Sequence, residues 1–343
     1  MQLHWTCITK MKVIVLGAGI NGNICALKIK ERYPEVDVTI LGEQFSPNTT
    51  GDGSGGLWYP YLCGNTSAHL ISKWGIETYE LFQKLWSEGG YGITLQPVFV
   101  FYRNTPNDEP EWTKKVYGYR KLNKQQVDYY NQLYSAKFVT GNTFTTFVVN
   151  PSTFLFRLEQ RLRDLNVTRI QGSVKSLQDP RLDNYDVVFN CTGLGAREIV
   201  PDTRVIPVRG QIVKVEAPWN FQTIMDKDSG HYIIPNDSFC VLGGTGQKGN
   251  FNTNVNQDDT DFILGGCQTV LPSLQNAKIL KYFVGLRPGR DEIRLEAEEI
   301  NGKLYIHNYG HGGSGFTLFW GCGNDVLHLF EKHSKDMMNK SKL

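Results

Sequence analysis

The chain has 343 residues, 40% of them hydrophobic and 20% charged, with a net charge of +2. That is ordinary globular composition, long enough to bury the cores of two domains. It excludes a basic nucleic-acid binder, since no window joins dense Lys and Arg to interleaved stacking aromatics. No apolar run reaches the length of a membrane span, and a soluble protein is expected. Met1 to Lys10 lack the apolar stretch of a signal peptide and read as a short extension ahead of Met11. The seven cysteines are scattered without a Cys-x-x-Cys pair, so neither a metal site nor a disulfide framework is suggested. Cys25, Cys191 and Cys240 stand in apolar runs, where a small buried hydrophobe is expected.

Lys12 to Leu16 is a short β-branched run that predicts a buried strand, and it enters Gly17-Ala18-Gly19-Ile20-Asn21-Gly22. The segment from Ile24 to Tyr33 is periodic at helical spacing and stops before Pro34. A strand, G-x-G-x-x-G and a helix in that order predict a dinucleotide site. Gly17 permits the turn, Gly19 the approach of pyrophosphate, and Gly22 the close packing of helix on strand. A second strand, Val36 to Leu41, ends just before Glu43, about 20 residues past the glycines, where an acid takes ribose hydroxyls. This much points to NAD or FAD alike.

Thr49 and Thr50 follow in a loop, where their hydroxyls could donate to diphosphate oxygens or simply bond locally in a turn. A helix rich in aromatics is expected near Ala68–Trp86. Asp186 to Cys191 reads as a buried parallel strand leading into Thr192 and glycines. Tyr232–Pro235 and Ser238–Gly243 predict a hairpin turning at Asn236-Asp237. Four glycines fall within Gly310 to Gly315, ahead of an apolar helical run to Phe330, and predict a ligand cradle at a helix start.

Several blocks resemble the D-amino acid oxidase and D-aspartate oxidase family. They include Asn48-Thr49-Thr50-Gly51-Asp52, Gly55-Gly56-Leu57-Trp58-Tyr59-Pro60, Asn190-Cys191-Thr192-Gly193 and Pro207-Val208-Arg209-Gly210. Ala217-Pro218-Trp219, Tyr232-Ile233-Ile234-Pro235, Gly285-Leu286-Arg287-Pro288 and His307-Asn308-Tyr309-Gly310-His311-Gly312 continue the likeness along the chain. The resemblance implies an α/β fold: a Rossmann-like FAD-binding domain with a second, mainly antiparallel sheet that carries the substrate. It implies FAD held by the residues at Gly17, Ala18, Gly19, Gly22, Glu43, Gln44, Thr49, Thr50, Gly56, Leu57, Val174 and Thr192, and by Gly312, Gly313, Ser314, Gly315, Phe316 and Thr317. Arg287 matches the family's carboxylate-binding arginine and Tyr232 its partner tyrosine, with Tyr59 and Ser314 also expected at the substrate.

By the same resemblance, hydride passes from Cα of the neutral amine to flavin N5. Oxygen then gives hydrogen peroxide, and the imino acid hydrolyses to a 2-oxo acid and ammonia. No protein acid or base is expected at the reacting carbon, and His307 and His311 are expected to be structural. Met225 stands where the aspartate enzymes carry a second arginine, which favours neutral D-amino acids. Lys227, two residues on, keeps an acidic substrate open. The longer lid of the vertebrate neutral-substrate enzymes has no counterpart between Trp219 and Tyr232.

The cofactor motifs fall in three pieces, giving a discontinuous FAD domain at 11–60, 142–205 and 285–335, a substrate domain at 61–141 and 206–284, and a tail from 336. The chain closes on Ser341-Lys342-Leu343, a tripeptide read by the peroxisomal import receptor, so the peroxisome matrix is the expected location. Oligomeric association is left open.

Overall fold

The computed structural model describes residues 11–106 and 109–340, with no account of side chains beyond 334. Cys7 and the terminal Ser341-Lys342-Leu343 lie outside the described residues.

The first strand, β1 (Lys12–Leu16), is buried on both faces, and its alternate residues enter different cores. Val13 and Val15 pack toward helix α1 (Ile20–Arg32), meeting Ile24, Cys25 and Ile29, whereas Ile14 and Leu16 meet Val174, Leu177 and Leu182. A strand wetted on neither side reads as a continuous apolar run, as this one does. The helix starts straight from Gly19 in extended conformation, with no capping side chain and no acid in its first turn. Its first N–H groups therefore remain available. Next come β2 (Asp37–Gly42) and the aromatic helix α2 (Ala68–Glu88).

Strands β3 (Ile93–Tyr102), β4 (Tyr117–Lys121) and β5 (Thr140–Val149) pair antiparallel, with α3 (Lys124–Leu133) between the last two. Strand β5 crosses the expected boundary at 142, and its partners are β3 and β4. Helix α4 (Pro151–Asp164) leads to β6 (Thr168–Gln171), β7 (Val187–Asn190) and the single turn α5 (Ala196–Ile199). Strands β8 (Ile206–Glu216), β9 (Thr223–Asp226), β10 (Tyr232–Pro235), β11 (Cys240–Gly243) and β12 (Gln247–Lys248) precede helix α6 (Gln257–Val270). The chain then forms β13 (Lys278–Ile300), β14 (Lys303–His311) and the long helix α7 (Gly315–Lys340).

Hydrogen bonds link the strands in the order β4-β5-β3-β9-β10-β11-β8-β13-β14-β7-β1-β2-β6. From β14 to β6 the pairing is parallel. Toward β4 it is antiparallel apart from β3 beside β9. The two regions therefore carry the expected nucleotide-binding and antiparallel sheets. Strand β13 joins them, pairing with β8 from Lys278 to Gly289 and with β14 from Gly289 to Ile300. The hairpin of β10 and β11 forms as expected, although its second strand begins at Cys240 rather than Ser238. Six cysteines are buried free thiols, among them Cys25, Cys191 and Cys240.

Candidate active site

The glycine-rich loops and residues of the antiparallel sheet line a cavity of about 550 Å³. Gly17, Ala18 and Gly19 line it at the start of α1, and Gly312, Gly313, Gly315 and Phe316 line it at the start of α7. Two helix N-termini thus converge on one space, and each contributes positive dipole and free N–H groups. Gly17 has φ +99°, and a Cβ there would lie 2.5 Å from the carbonyl oxygen of Cys191. A Cβ on Gly22 would fall 1.8 Å from the Gly17 carbonyl oxygen, whereas one on Gly19 would meet nothing within 4 Å. Gly22 therefore lies beneath the cavity as a packing residue, while Gly19 opens directly into it.

Glu43 and Gln44 stand at the rim immediately past β2, with Val174 and Thr192 across from them. Thr192 Oγ1 donates to Asn190 Oδ1 at 2.7 Å, and the Asn190 amide in turn meets His307 Nδ1 at 3.2 Å. Burial and neighbouring Arg294 hold the His307 pKa below its ordinary value, against the pull of Glu298, whose carboxylate lies 2.9 Å from Nε2. His307 is thus a structural link behind the wall.

The two threonines of the next loop differ. Thr49 is buried, and both its N–H and its hydroxyl donate to Asp52 Oδ2, at 3.0 and 2.7 Å. Ser46 Oγ and Ser152 Oγ donate to the other oxygen. The hydroxyl proton of Thr49 is therefore committed to the loop itself, while Thr50 is exposed on the cavity side. Asp52, buried with four donors on one carboxylate, organises this loop. Sequence reasoning passed over it, although a turn bonded through Asp or Thr was already implicit in Asn48-Thr49-Thr50-Gly51-Asp52.

Ser314 and Thr317 lie behind the residues that line the cavity. The Ser314 hydroxyl accepts from Tyr61 N at 2.6 Å and donates to Tyr61 O at 2.8 Å. Thr317 Oγ1 makes the same pair of contacts with Tyr59, at 3.4 and 3.1 Å. Both hydroxyls, one just before α7 and one in its first turn, bond the backbone of the 59–61 segment. Leu57 and Gly56 line the wall before it; Gly56 has φ +76°, and a Cβ there would strike the Val149 carbonyl oxygen at 1.8 Å.

Tyr59, Tyr61, Met225, Lys227, Tyr232 and Arg287 line the sheet end. Tyr232 on β10 is paired with Met225 on β9 and Gly243 on β11. Its ring lies flat across Gly243-Gly244, since a Cβ on Gly243 would sit 2.0 Å from the ring carbon Cζ. Arg287 on β13 lies over Gly210 of β8 in the same way, 2.1 Å from where a Cβ would be. Its Nη1 donates to the Thr245 carbonyl oxygen at 3.0 Å. Burial raises the Tyr232 pKa and adjacent Arg287 opposes the rise, so the hydroxyl stays protonated and can donate. Among the described residues no carboxylate pairs with Arg287 or Lys227.

The remaining titratable groups at this end are occupied. Asp226 accepts from Arg103 Nη2 at 2.6 Å and from the N–H groups of Asp228 and Ser229. His231 has Nδ1 2.8 Å from Ser229 Oγ and Nε2 2.9 Å from the Phe262 carbonyl oxygen. Burial raises the Tyr59 pKa well above the usual phenol range. His311 meets the Asn21 amide through Nδ1 at 3.0 Å, and burial lowers its pKa to about 4.

The cavity fits a dinucleotide. Two helix starts face it, the first without a capping side chain, Gly19 leaves room for close approach, and Glu43 follows the second strand as a ribose-binding acid does. Asn21 Oδ1 and His311 Nε2, on residues of the same wall, are buried without a protein partner. Unpaired buried polar atoms are costly, so a polar ligand satisfies the site as built.

The family model described as FAD dependent oxidoreductase, DAO, matches residues 12–329. The chain belongs to the DAO family of FAD-dependent oxidoreductases. A D-amino acid oxidase of Dugesia ryukyuensis is 38% identical, the match covering 97% of this chain and 100% of that protein. A D-aspartate oxidase of Homo sapiens is 33% identical over 93% of this chain and 94% of its own length. The crystal structure of glycine oxidase from Bacillus cereus ATCC 14579 superposes with a TM-score of 0.76 at 19% identity, covering 94% of this chain and 96% of that one. At that identity the superposition establishes the DAO fold alone.

Proposed function

We propose that this DAO-family flavoenzyme oxidises D-amino acids, neutral ones among them, to 2-oxo acids with release of ammonia and hydrogen peroxide. The observation that carries the reading is the juxtaposition of Arg287 and Tyr232, each laid on a glycine floor, in the same cavity that the glycine-rich loops line. Arg287 has one N–H group committed to Thr245 and others left to grip a carboxylate, the geometry for which a guanidinium is suited. The protonated Tyr232 hydroxyl adds a second donor beside it. Met225 and the rings of Tyr59 and Tyr61 then meet the substrate side chain, an apolar and aromatic surface suited to neutral residues.

FAD would lie with its diphosphate at Gly17–Gly19 and Thr50, a ribose at Glu43, and its far end against Gly312–Phe316. The chemistry it supplies when bound is acceptance of a hydride and delivery of the electron pair to oxygen. The chain contributes position and electrostatics. The Asp226 carboxylate and both His231 nitrogens are held by the protein, so neither serves as a free base. The substrate therefore enters as the neutral amine, its proton lost to solvent.

A peroxide assay on the purified yellow protein with D-alanine, D-methionine and their L-enantiomers tests the reading. Peroxide from the D-series alone is expected; equal turnover of the L-series, or none of either, would sink it. We propose as well that Ser341-Lys342-Leu343 directs the protein to the peroxisome, a compartment suited to a peroxide-producing enzyme. Deleting the three residues should leave the protein diffuse in the cytosol. Retention in peroxisomes after deletion would count against this.

A further inference from the structure

Resting on the reading above, we infer that Thr245 is a positioning residue: its side chain fixes the backbone carbonyl that aims Arg287 at the substrate carboxylate. Arg287 Nη1 donates to that carbonyl oxygen at 3.0 Å while the guanidinium lies on Gly210. A guanidinium is a rigid planar fork, so the partner of one N–H group decides where the others point. Thr245 stands in Gly243-Gly244-Thr245-Gly246 and is the one residue of the four with a side chain. Glycines do little to hold a peptide plane in place, so the Arg287 acceptor depends on the threonine.

The sheet shows how the threonine is tied. Leu242 of β11 pairs with Val213 of β8, and Gln247 of β12 pairs with Arg209, so the ladder is interrupted opposite Gln211. The 243–246 segment spans the break. There the Thr245 hydroxyl, in place of a backbone carbonyl, accepts from Gln211 N at 2.9 Å, and Thr245 is buried. Gly210 lines the cavity, and the next side chain along β8, that of Gln211, turns to the other face. Its Nε2 donates to Asn256 O and to Thr260 Oγ1, both at 2.8 Å. Its Oε1 accepts from Asn256 N at 2.8 Å and from Arg209 Nη2 at 3.1 Å. Arg209 is spent in turn on Asp259, Gln247 and the carbonyls of Asn252 and Asn254. A saturated cluster behind the sheet thus reaches the carboxylate anchor through one N–H group and one hydroxyl.

A hydroxyl that merely closed the sheet would act alike with and without Arg287, whereas one that aims Arg287 acts only while the guanidinium is present. The test is therefore a double-mutant cycle on the FAD-loaded enzyme. Thr245→Val, which keeps the shape and removes the acceptor, is combined with Arg287→Ala, and Thr245→Ser serves as the conservative rescue. Peroxide production is followed with D-alanine, and propionate and propionamide binding by calorimetry. Thr245→Val should raise KM roughly tenfold, with kcat changed less than about threefold and flavin content unchanged. Propionate should weaken by a similar factor and propionamide by less than about twofold, because only the carboxylate uses the full fork. Thr245→Ser should keep the wild-type KM. In the Arg287→Ala background Thr245→Val should add less than about twofold. Should Thr245→Val lose its flavin, Thr245→Ala repeats the cycle with less bulk against the strand. An unchanged KM, or the same loss in both backgrounds, would overturn the inference and leave Arg287 as the anchor. If Arg287→Ala alone leaves KM unchanged, the anchor reading fails and this one with it.

Discussion

The two ends of the cavity are built from different parts of the chain. The cofactor end is made of backbone: two helix starts, glycines that admit no Cβ, and loops pinned by buried hydroxyls and Asp52. The other end is made of long side chains reaching inward from the consecutive strands β9 and β10 and from β13, farther along the chain, each supported on a neighbouring strand. Backbone sites require a local run of particular residues, so they leave a spaced motif. Side-chain sites require only that a few residues converge, and convergence is a property of the sheet register.

This contrast can be broken at either end, and the largest effect belongs to the backbone. Gly22→Ala forces a Cβ against the Gly17 carbonyl and separates helix from strand. The variant should purify colourless, with flavin absorbance and fluorescence quenching both lost. At the other end Arg287→Ala should leave the yellow colour intact while raising KM by about 100-fold, the cost of a bidentate charge-assisted contact. Retained KM in that variant would reassign the carboxylate anchor.

A finer cut leaves Tyr232 in place and removes its support. In Gly243→Ala a new methyl meets the tyrosine ring at 2.0 Å, so the ring must swing away from the substrate. A loss of roughly tenfold or more in kcat/KM is expected, with flavin content unchanged, because misplacement by an ångström is enough. A test read in stability rather than in turnover concerns His311. Its folded pKa of about 4 lies below the unfolded value of 6.5, so the unfolded chain takes up the proton more readily. Stability is complete above about pH 6.5 and falls as pH drops toward 4, by roughly 3 kcal/mol over the whole span. Thermal unfolding followed from pH 7 to 4.5 should show this slope flattened in His311→Asn.

Legibility in the sequence follows the same division. The run from Lys12 to Gly22 declared strand, turn and helix, because hydrophobic period and glycine spacing are local properties. Glu43 was placed by counting from it. Arg287 and Tyr232 stood out through resemblance, since nothing local separates Arg287 from Arg290 and Arg294. The structure separates them physically. Arg290 is buried on Asp202, Arg294 is spent on Glu296, Glu298 and Tyr309, and Arg287 is left without an anion. Thr49, Ser314 and Thr317 show the opposite limit. A hydroxyl near a ligand loop reads as a ligand donor, yet Ser314 and Thr317 hold backbone and Thr49 holds the Asp52 carboxylate. The pairing of Gly243 with Tyr232 was hidden too, because it exists only across the hairpin ladder.

Strand β13 has a mechanical consequence. Its first half is laced to β8 and its second to β14, and Arg287 stands two residues before the crossing at Gly289. Arg287 and this wall of the cavity therefore share one beam, braced on both flanks. Such a beam resists the hinge bending by which many two-domain enzymes open and shut. Opposite it, the 59–61 segment is tied at its backbone by Ser314 and Thr317, so the pocket is framed by fixed backbone on both sides.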